Sequence, residues 1–408
     1  MPLIEAIVIG AGQAGLAMSR CLGRRIIPHI VLERGRIAER WRSERWDSLH
    51  LLTPNWHTRL PDWSYRGEDP EGYMSVPELV TFFEDYAQSF SAPIHAGRNV
   101  DSVQPIPKGY EVRAGSEIWH TRALIIATGH CDVPYVPDVA AGLNSQIVQL
   151  TAPQYRNPDQ LDPGGVLIVG SGASGSQIAE EVAKSGRRVT LSVGRHRRLP
   201  RRYRNQDILW WIDRMGIFRE PADPSTSRGF PAPQLVGSNE GRSLDLGILQ
   251  ELGVRLTGRV AAIEGVRVRF HSNLENSIQQ AEEEMRNFLD RIDSFADAHE
   301  LGGIAERPEP ARPEPVSPAP PPDEIDLSNE GIRTVIWASG YRRAYPWLQM
   351  DLLDDQGELR HRDGVTDAPG IYVIGLRRQR LNHSNFIDGV GDDAEFLSEH
   401  ILRHLAES

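Results

Sequence analysis

Apolar positions along the chain fall into two alternating patterns. Short unbroken runs, such as Ile7-Val8-Ile9, Val166-Leu167-Ile168-Val169 and Ile371-Tyr372-Val373-Ile374, read as strands buried on both faces. Between them stand stretches with apolar residues three and four apart, among them Ala14, Ala17, Met18, Cys21 and Leu22, and later Ile178, Ala179, Val182 and Ala183. That spacing gathers the apolar side chains on one face of a helix. Strand, helix and strand in repetition predict an α/β fold with parallel sheets. The same reading predicts a helix over 76–90 with Pro77 near its start, short strands over 100–106 and 110–113, and a strand over 118–127. An aromatic helix begins near Asp207, strands over 254–256, 260–263 and 266–270 complete a sheet, and a C-terminal helix starts with Asp392 as its N-cap.

Two of the strand-to-helix joints carry one glycine pattern: Gly10-Ala11-Gly12-Gln13-Ala14-Gly15 and Gly170-Ser171-Gly172-Ala173-Ser174-Gly175. The first glycine permits a tight turn, the second lets a phosphate approach the backbone, and the third lets the helix pack closely on the sheet. The phosphates of a dinucleotide would rest on the unpaired amides of the helix N-terminus. One such match is weak, but two complete strand-turn-helix-strand copies in one chain are specific. Two further strands end alike, in Ala127-Thr128-Gly129 and Ala338-Ser339-Gly340, as suits a place where backbone passes a ligand or changes domain.

The copies differ at the end of the second strand. Glu33 stands where an acid would hold a ribose hydroxyl; its counterpart is Val193, followed by Arg195, His196, Arg197 and Arg198. An acid repels a 2′-phosphate, whereas arginine pairs with one. The first site therefore suits a dinucleotide with a free ribose hydroxyl and the second suits NADPH, with Arg195 the first candidate contact and Arg197 or Arg198 the next. The competing reading of the basic run, which continues through Arg201, Arg202 and Arg204, is a solvated face or a nucleic-acid patch.

Composition narrows the field. The chain has 408 residues, enough for two or three domains, and a net charge of -11 argues against a nucleic-acid or anionic-membrane protein. No apolar run approaches a membrane span, and strand one begins without a basic, hydrophobic leader, so a cytoplasmic protein is expected. The two cysteines, Cys21 and Cys131, do not form a CxxC pair, which removes a dithiol centre, and no metal-ligand pattern is expected.

Other stretches allow two readings each. In residues 34–61 Trp41, Trp46 and Trp56 fall among arginines without a single period; they form walls around a planar ring with Asn55 or His57 as polar handle, or they are packing with a solvated rim. The helix predicted over 274–298 carries a seam of Leu274, Ile278, Ala281, Met285, Phe288, Ile292 and Phe295, which could zip against a second copy in a homodimer or pack on its own domain. The proline-rich stretch 306–322 reads as a linker looping out of the fold.

Taken together, both glycine fingerprints, the Trp/Arg segment after Glu33, the two small-residue hinges and the turn from Asp388 to Ala394 resemble the class B flavoprotein monooxygenases. This family includes flavin-containing, N-hydroxylating and Baeyer-Villiger monooxygenases, and the chain is most similar to its bacterial oxidoreductases of this length. The resemblance implies two Rossmann-like dinucleotide-binding domains, the second inserted into the first: an FAD domain over 1–160 and 325–408, an NADPH domain over 161–305 and a linker over 306–324. It implies FAD with its pyrophosphate at Gly10, Gly12 and Gly15 and its ribose on Glu33. Gln13, Ala14, Arg34, Trp41 and Val100 are expected around it, as are Ala127, Thr128, Gly129, Gly340, Gly375 and Asp388. NADPH is expected on Gly170, Gly172, Ser174 and Gly175, with Arg195 and Arg197 at its 2′-phosphate. In such enzymes NADPH reduces the flavin, oxygen adds at flavin C4a, and the peroxide passes one oxygen atom to a small organic substrate. Asn55, His57 and His383 are the candidate catalytic residues. One departure stands out: the fingerprint before the second Rossmann unit keeps its closing Tyr155 but lacks its phenylalanine and histidine. An NADPH-dependent flavin reductase or oxidase without oxygen insertion, or a non-catalytic FAD/NADPH redox sensor, remain the rival expectations.

Overall fold

The computed structural model describes residues 3–223, 232–238, 240–301 and 312–407. Five parallel strands form the body of the first sheet, in the order Ile94–Ala96, His29–Glu33, Leu3–Ile9, Glu117–Ile126 and Ile371–Val373. An antiparallel meander, Ser102–Ile106 and Gly109–Ala114, hangs on the long Glu117–Ile126 strand. The helices Gln13–Arg24, Val76–Ser89 and Gly389–Glu407 share one apolar core against this sheet, with Leu16, Val8, Phe83, Ile125 and Leu397 within it. Ile7, Ile9, Leu32 and Leu124 point into a separate core on the other face. Alternate residues of the strands thus enter opposite cores, which is why the strands read as unbroken apolar runs.

The second sheet is also parallel, in the order Val148–Thr151, Ile332–Trp337, Gly165–Val169, Val189–Ser192 and Arg255–Thr257. Its composition shifts the expected boundaries: Val148–Thr151 lies before residue 161 and Ile332–Trp337 after residue 325, yet both belong here. The chain leaves the first sheet directly after Gly129 and returns after Gly340, so the small-residue turns, not the proline-rich stretch, mark the crossings. The two crossing segments pair with each other as an antiparallel ribbon, Val133–Pro134 against Tyr341–Arg342. Of the three strands expected to complete this sheet, only Arg255–Thr257 joins it. Val260–Glu264 and Arg267–Phe270 form a hairpin that takes Glu324–Asp326 as a third antiparallel strand.

The long helix spans Leu274–Ala298, and its seam is buried by its own chain: Leu274 and Ile278 enter the core of the second sheet, and Met285 and Ile292 pack with Trp211 and Phe218. The register of seven is thereby used up within the chain, except at Phe288 and Phe295, which are half-buried. Part of the proline-rich stretch, 306–311, lies outside the described residues. The rest does not loop out: Arg312 pairs with Asp290 and Asp293, and the Val316 amide donates to Glu282 on the long helix. Arg312 and Val316 supply the charged and apolar contacts that proline alone lacks. Among the described residues no helix is long and apolar enough to cross a membrane.

Candidate functional site

Both glycine turns fold in the same way. Gly10 and Gly170 each have φ +110°, a value that favours glycine, and a Cβ on them would meet the carbonyl oxygens of Ala127 and Ala338 at 2.6 and 2.4 Å. The small-residue strand ends therefore lie against the turns because any side chain on the glycine would displace them. A Cβ on Gly15 or Gly175 would lie 1.8 Å from the carbonyl of Gly10 or Gly170. At the middle glycine the picture reverses: among the described residues nothing stands within 4 Å of a Cβ on Gly12, and for Gly172 only the Ala232 carbonyl at 3.8 Å. Each turn is closed where helix meets strand and open where a ligand's phosphate would approach, in front of a helix N-terminus without a side-chain cap. The residues present fit a dinucleotide at both turns.

Glu33 is buried, and its two carboxylate oxygens accept from the Ala11 and Gly35 amides at 2.8 Å each, which fixes the acid beside the first turn. Val193 instead belongs to the apolar core of the second sheet. Gln13 donates to the Asn385 carbonyl at 2.7 Å, and a Cβ on Gly375 would touch that of Ala14 at 2.7 Å, so the 375–389 segment lies beside the first turn. Ser174 and Thr128 are half-buried, Gly129 and Gly340 have positive φ, and Val100 is buried two residues past Arg98, whose amide donates to the Glu33 carbonyl. Arg34 is half exposed, with Glu44 at 3.5 Å.

The arginine run divides. Arg198 is buried and donates to Asp245 at 2.9 and 2.7 Å while also pairing with Glu282. Arg201 is fully buried, donates to Asp207 and to the Leu52 carbonyl at 2.8 Å each, and lies 4.7 Å over the Tyr73 ring. Arg204 faces Asp293 at 3.5 Å. These three are internal ion pairs, so neither the solvated-face nor the nucleic-acid reading applies to them, and Arg198 is removed as a phosphate contact. Arg195 is 53% exposed, with Glu284 3.9 Å away. Arg197 is held down to about 10 by loss of hydration, with Arg377, Arg378 and Arg195 close by.

Two of the tryptophans of 34–61 pack into the cores, and Trp56 lies 5.2 Å from the His57 ring. Trp46 sits in the second core with Leu49, and Trp41 touches both cores with the Arg45 guanidinium 5.0 Å over its ring. Asn55 is buried, but its amide is spent on the 69–74 loop, donating to the Asp69 carbonyl and accepting from the Met74 amide at 2.9 Å each. Tyr155 is fully buried and donates to Glu181 at 2.8 Å, a role that needs no neighbouring histidine.

His57 and His383 come together with residues the sequence did not single out. Phe218 lies between them, its ring centroid 4.8 Å from one imidazole and 5.8 Å from the other, and Phe386 is 5.5 Å from Phe218. His57 Nε2 is 3.7 Å from Asp388, which Arg59 grips at 2.8 and 3.3 Å. His383 Nε2 is 3.4 Å from Asp392. Among the described residues both Nδ1 atoms and His57 Nε2 are buried without a hydrogen-bond partner, and His383 Nε2 faces Asp392. Burial lowers the His57 pKa, Asp388 opposing; the adjacent His383 lowers that of Asp392; burial raises Asp393 to about 6. The terminal helix begins at Gly389, so Asp392 lies inside its first turn rather than capping it. His57, His383 and Asp388 were expected at the site, and Asp392 was expected only as a helix cap; Phe218 and Phe386 carried no signal. Among the described residues no group of three or more His, Cys, Asp or Glu could hold a metal ion.

Residues 7–213 match the family described as pyridine nucleotide-disulphide oxidoreductase. An uncharacterized CzcO-like oxidoreductase of Geobacillus kaustophilus is 32% identical over 98% of this chain and 99% of its own. Indole-3-pyruvate monooxygenase YUCCA1 of Oryza sativa subsp. japonica is 30% identical over 46% of this chain and 47% of its own. The fold matches a flavin-containing monooxygenase from Stenotrophomonas maltophilia with a TM-score of 0.69 over 99% of both chains, at 19% identity. The chain belongs to the pyridine nucleotide-disulphide oxidoreductase family, among the oxidoreductases that resemble class B flavoprotein monooxygenases.

Proposed function

We propose that the chain is an NADPH-dependent flavin monooxygenase that inserts one oxygen atom of O2 into a small organic substrate. The observation that carries this reading is the pair of open glycine turns, one backed by Glu33 and the other by Val193 and Arg195. FAD would lie on Gly10, Gly12 and Gly15 with its ribose at Glu33, and NADPH on Gly170, Gly172 and Gly175 with Arg195 and Arg197 at its 2′-phosphate. The flavin, when bound, supplies electron transfer and oxygen activation. The chain's own residues do the rest: helix amides hold phosphates, Phe218, Phe386 and Trp56 exclude water, and His57 and His383 handle protons. The free thiols Cys21 and Cys131 suit a reducing, cytoplasmic setting. The monooxygenase names among the relatives support the reaction type.

Labelled O2 tests the reading: label is expected in the product, and hydrogen peroxide formed in step with all NADPH consumed would overturn it in favour of an oxidase. Flavin that NADPH does not bleach would make the chain a binding protein. Arg195→Ala is expected to weaken NADPH by about tenfold or more while sparing NADH, as loss of one charged hydrogen bond does. Equal loss of both would remove Arg195 from the 2′-phosphate.

A further inference from the structure

We propose that Asp392 and His383 form a proton inlet to the reaction chamber, sealed from His57 by Phe218. The inference rests on the monooxygenase reading, in which each turnover takes NADPH, O2, substrate and one proton to NADP+, water and oxygenated product. That proton must reach a site closed to water.

His57 is 1% and His383 0% exposed; among the described residues both Nδ1 atoms and His57 Nε2 lack a hydrogen bond, while His383 Nε2 faces Asp392 at 3.4 Å. Buried polar atoms are nearly always partnered, so three unpartnered ring nitrogens in one cluster call for a role. The two imidazoles differ in their way out. The acid beside His57, Asp388, is 8% exposed and closed by Arg59. The acid beside His383, Asp392, has a side chain 38% exposed, so only this pair forms a chain of titratable atoms from solvent to interior. Phe218 interposes an apolar ring between the histidines. It is held there by the second unit's 217–223 segment: Ala222 donates to the Arg380 carbonyl at 2.9 Å, and Asn382 to the Ile217 carbonyl at 2.9 Å. Asp393, Arg380 and Arg219 also face the inlet, and Arg59, Asp213 and Asp388 face His57. Asp392 takes a proton from water and gives it to His383 Nε2; the Nδ1 proton passes to the oxygen atom that leaves as water, and tautomerisation restores the neutral ring.

The test compares Asp392→Asn and His383→Gln in the FAD-loaded protein. Flavin reduction by NADPH is followed separately in each variant, so that the loss on the oxygen-dependent step is read relative to it. The oxygen-dependent step is expected to fall by about 10²-fold, and substituted imidazoles to rescue His383→Ala in proportion to their basicity. Hydrogen-deuterium exchange at imidazole C2, read by mass spectrometry, gives an answer without turnover. Asp392→Asn should shift the half-exchange pH of His383 and leave that of His57 in place, whereas with Phe218→Ala added both should move. An unmoved His383, or rescue blind to basicity, would overturn the inlet. A wild-type flavin that NADPH cannot reduce would sink the monooxygenase reading, yet the exchange result would still decide the inlet. Should His383→Gln not fold, Asp392→Asn alters only a partly exposed side chain and suffices.

Discussion

Gly12 and Gly15 sit three positions apart in one turn and answer to different constraints. A methyl group on Gly15 would overlap a backbone carbonyl that cannot yield, so Gly15→Ala is expected to lower stability by roughly 1–3 kcal/mol or more. Gly12→Ala meets no atom of the described residues within 4 Å, and its φ of -86° is ordinary, so the apo protein should melt as the wild type does while FAD binding is lost. Melting curves with and without FAD separate the two; equal melting losses would refute the division of labour. Gly172→Ala and Gly175→Ala should repeat the contrast for NADPH. These roles were legible in the sequence because they depend on spacing within a few residues. The role of Asn55 was not, because a residue's chemistry says nothing about whether its amide is already engaged, here by the 69–74 backbone.

Among the larger elements, the segment that follows Glu33 joins the two sheets. Trp46 and Leu49 enter the second core, Arg201 of the second unit reaches the Leu52 carbonyl, and the Tyr73 hydroxyl donates to Asp207 at 2.8 Å. Removing one member of a buried ion pair leaves an uncompensated charge. Arg201→Met should therefore cost about 3–5 kcal/mol in urea unfolding, and Arg201→Met with Asp207→Leu should recover much of the loss. A double variant no more stable than the single would mean that packing of the arginine stem matters more than its charge. The strands and helices that periodicity marked are present, since periodicity records local burial, whereas the short elements Ile94–Ala96, Val148–Thr151, Leu246–Glu251 and Glu324–Asp326 were not read. The arginine run was only half legible: the acids that neutralise Arg198 and Arg204 lie at Asp245, Glu282 and Asp293, beyond the reach of any local pattern. Sheet membership of Val148–Thr151 was hidden for the same reason, because its partner Ile332–Trp337 is remote in sequence.

Across the whole molecule, burial sets the response to pH. His29, His57, His130, His196, His361 and His400 are all held below the ordinary value of 6.5, burial first in each case, with His130 down to about 3. The unfolded chain binds these protons more readily, so their contribution to stability is complete above about 6.5 and is lost as the pH falls below it, toward 3. Asp393 acts in the opposite sense: raised to about 6, it favours the fold at low pH and loses that contribution as the pH rises through 6. The six histidines outweigh Asp393 and predict a urea midpoint that drops between pH 7 and pH 4, the carboxylates held low by hydrogen-bonded neighbours adding to the loss below about 4.5, and a flat profile would contradict the burial of these rings. The paired crossings at Val133–Pro134 and Tyr341–Arg342 have a different consequence. A unit entered and left through one ribbon has neighbouring ends, and topology would let it be cut out or transplanted as a module. Energetics would not: Trp46 and Leu49, which help fill its core, belong to the chain left behind, so a transplanted second unit would carry a hole the size of a tryptophan and a leucine.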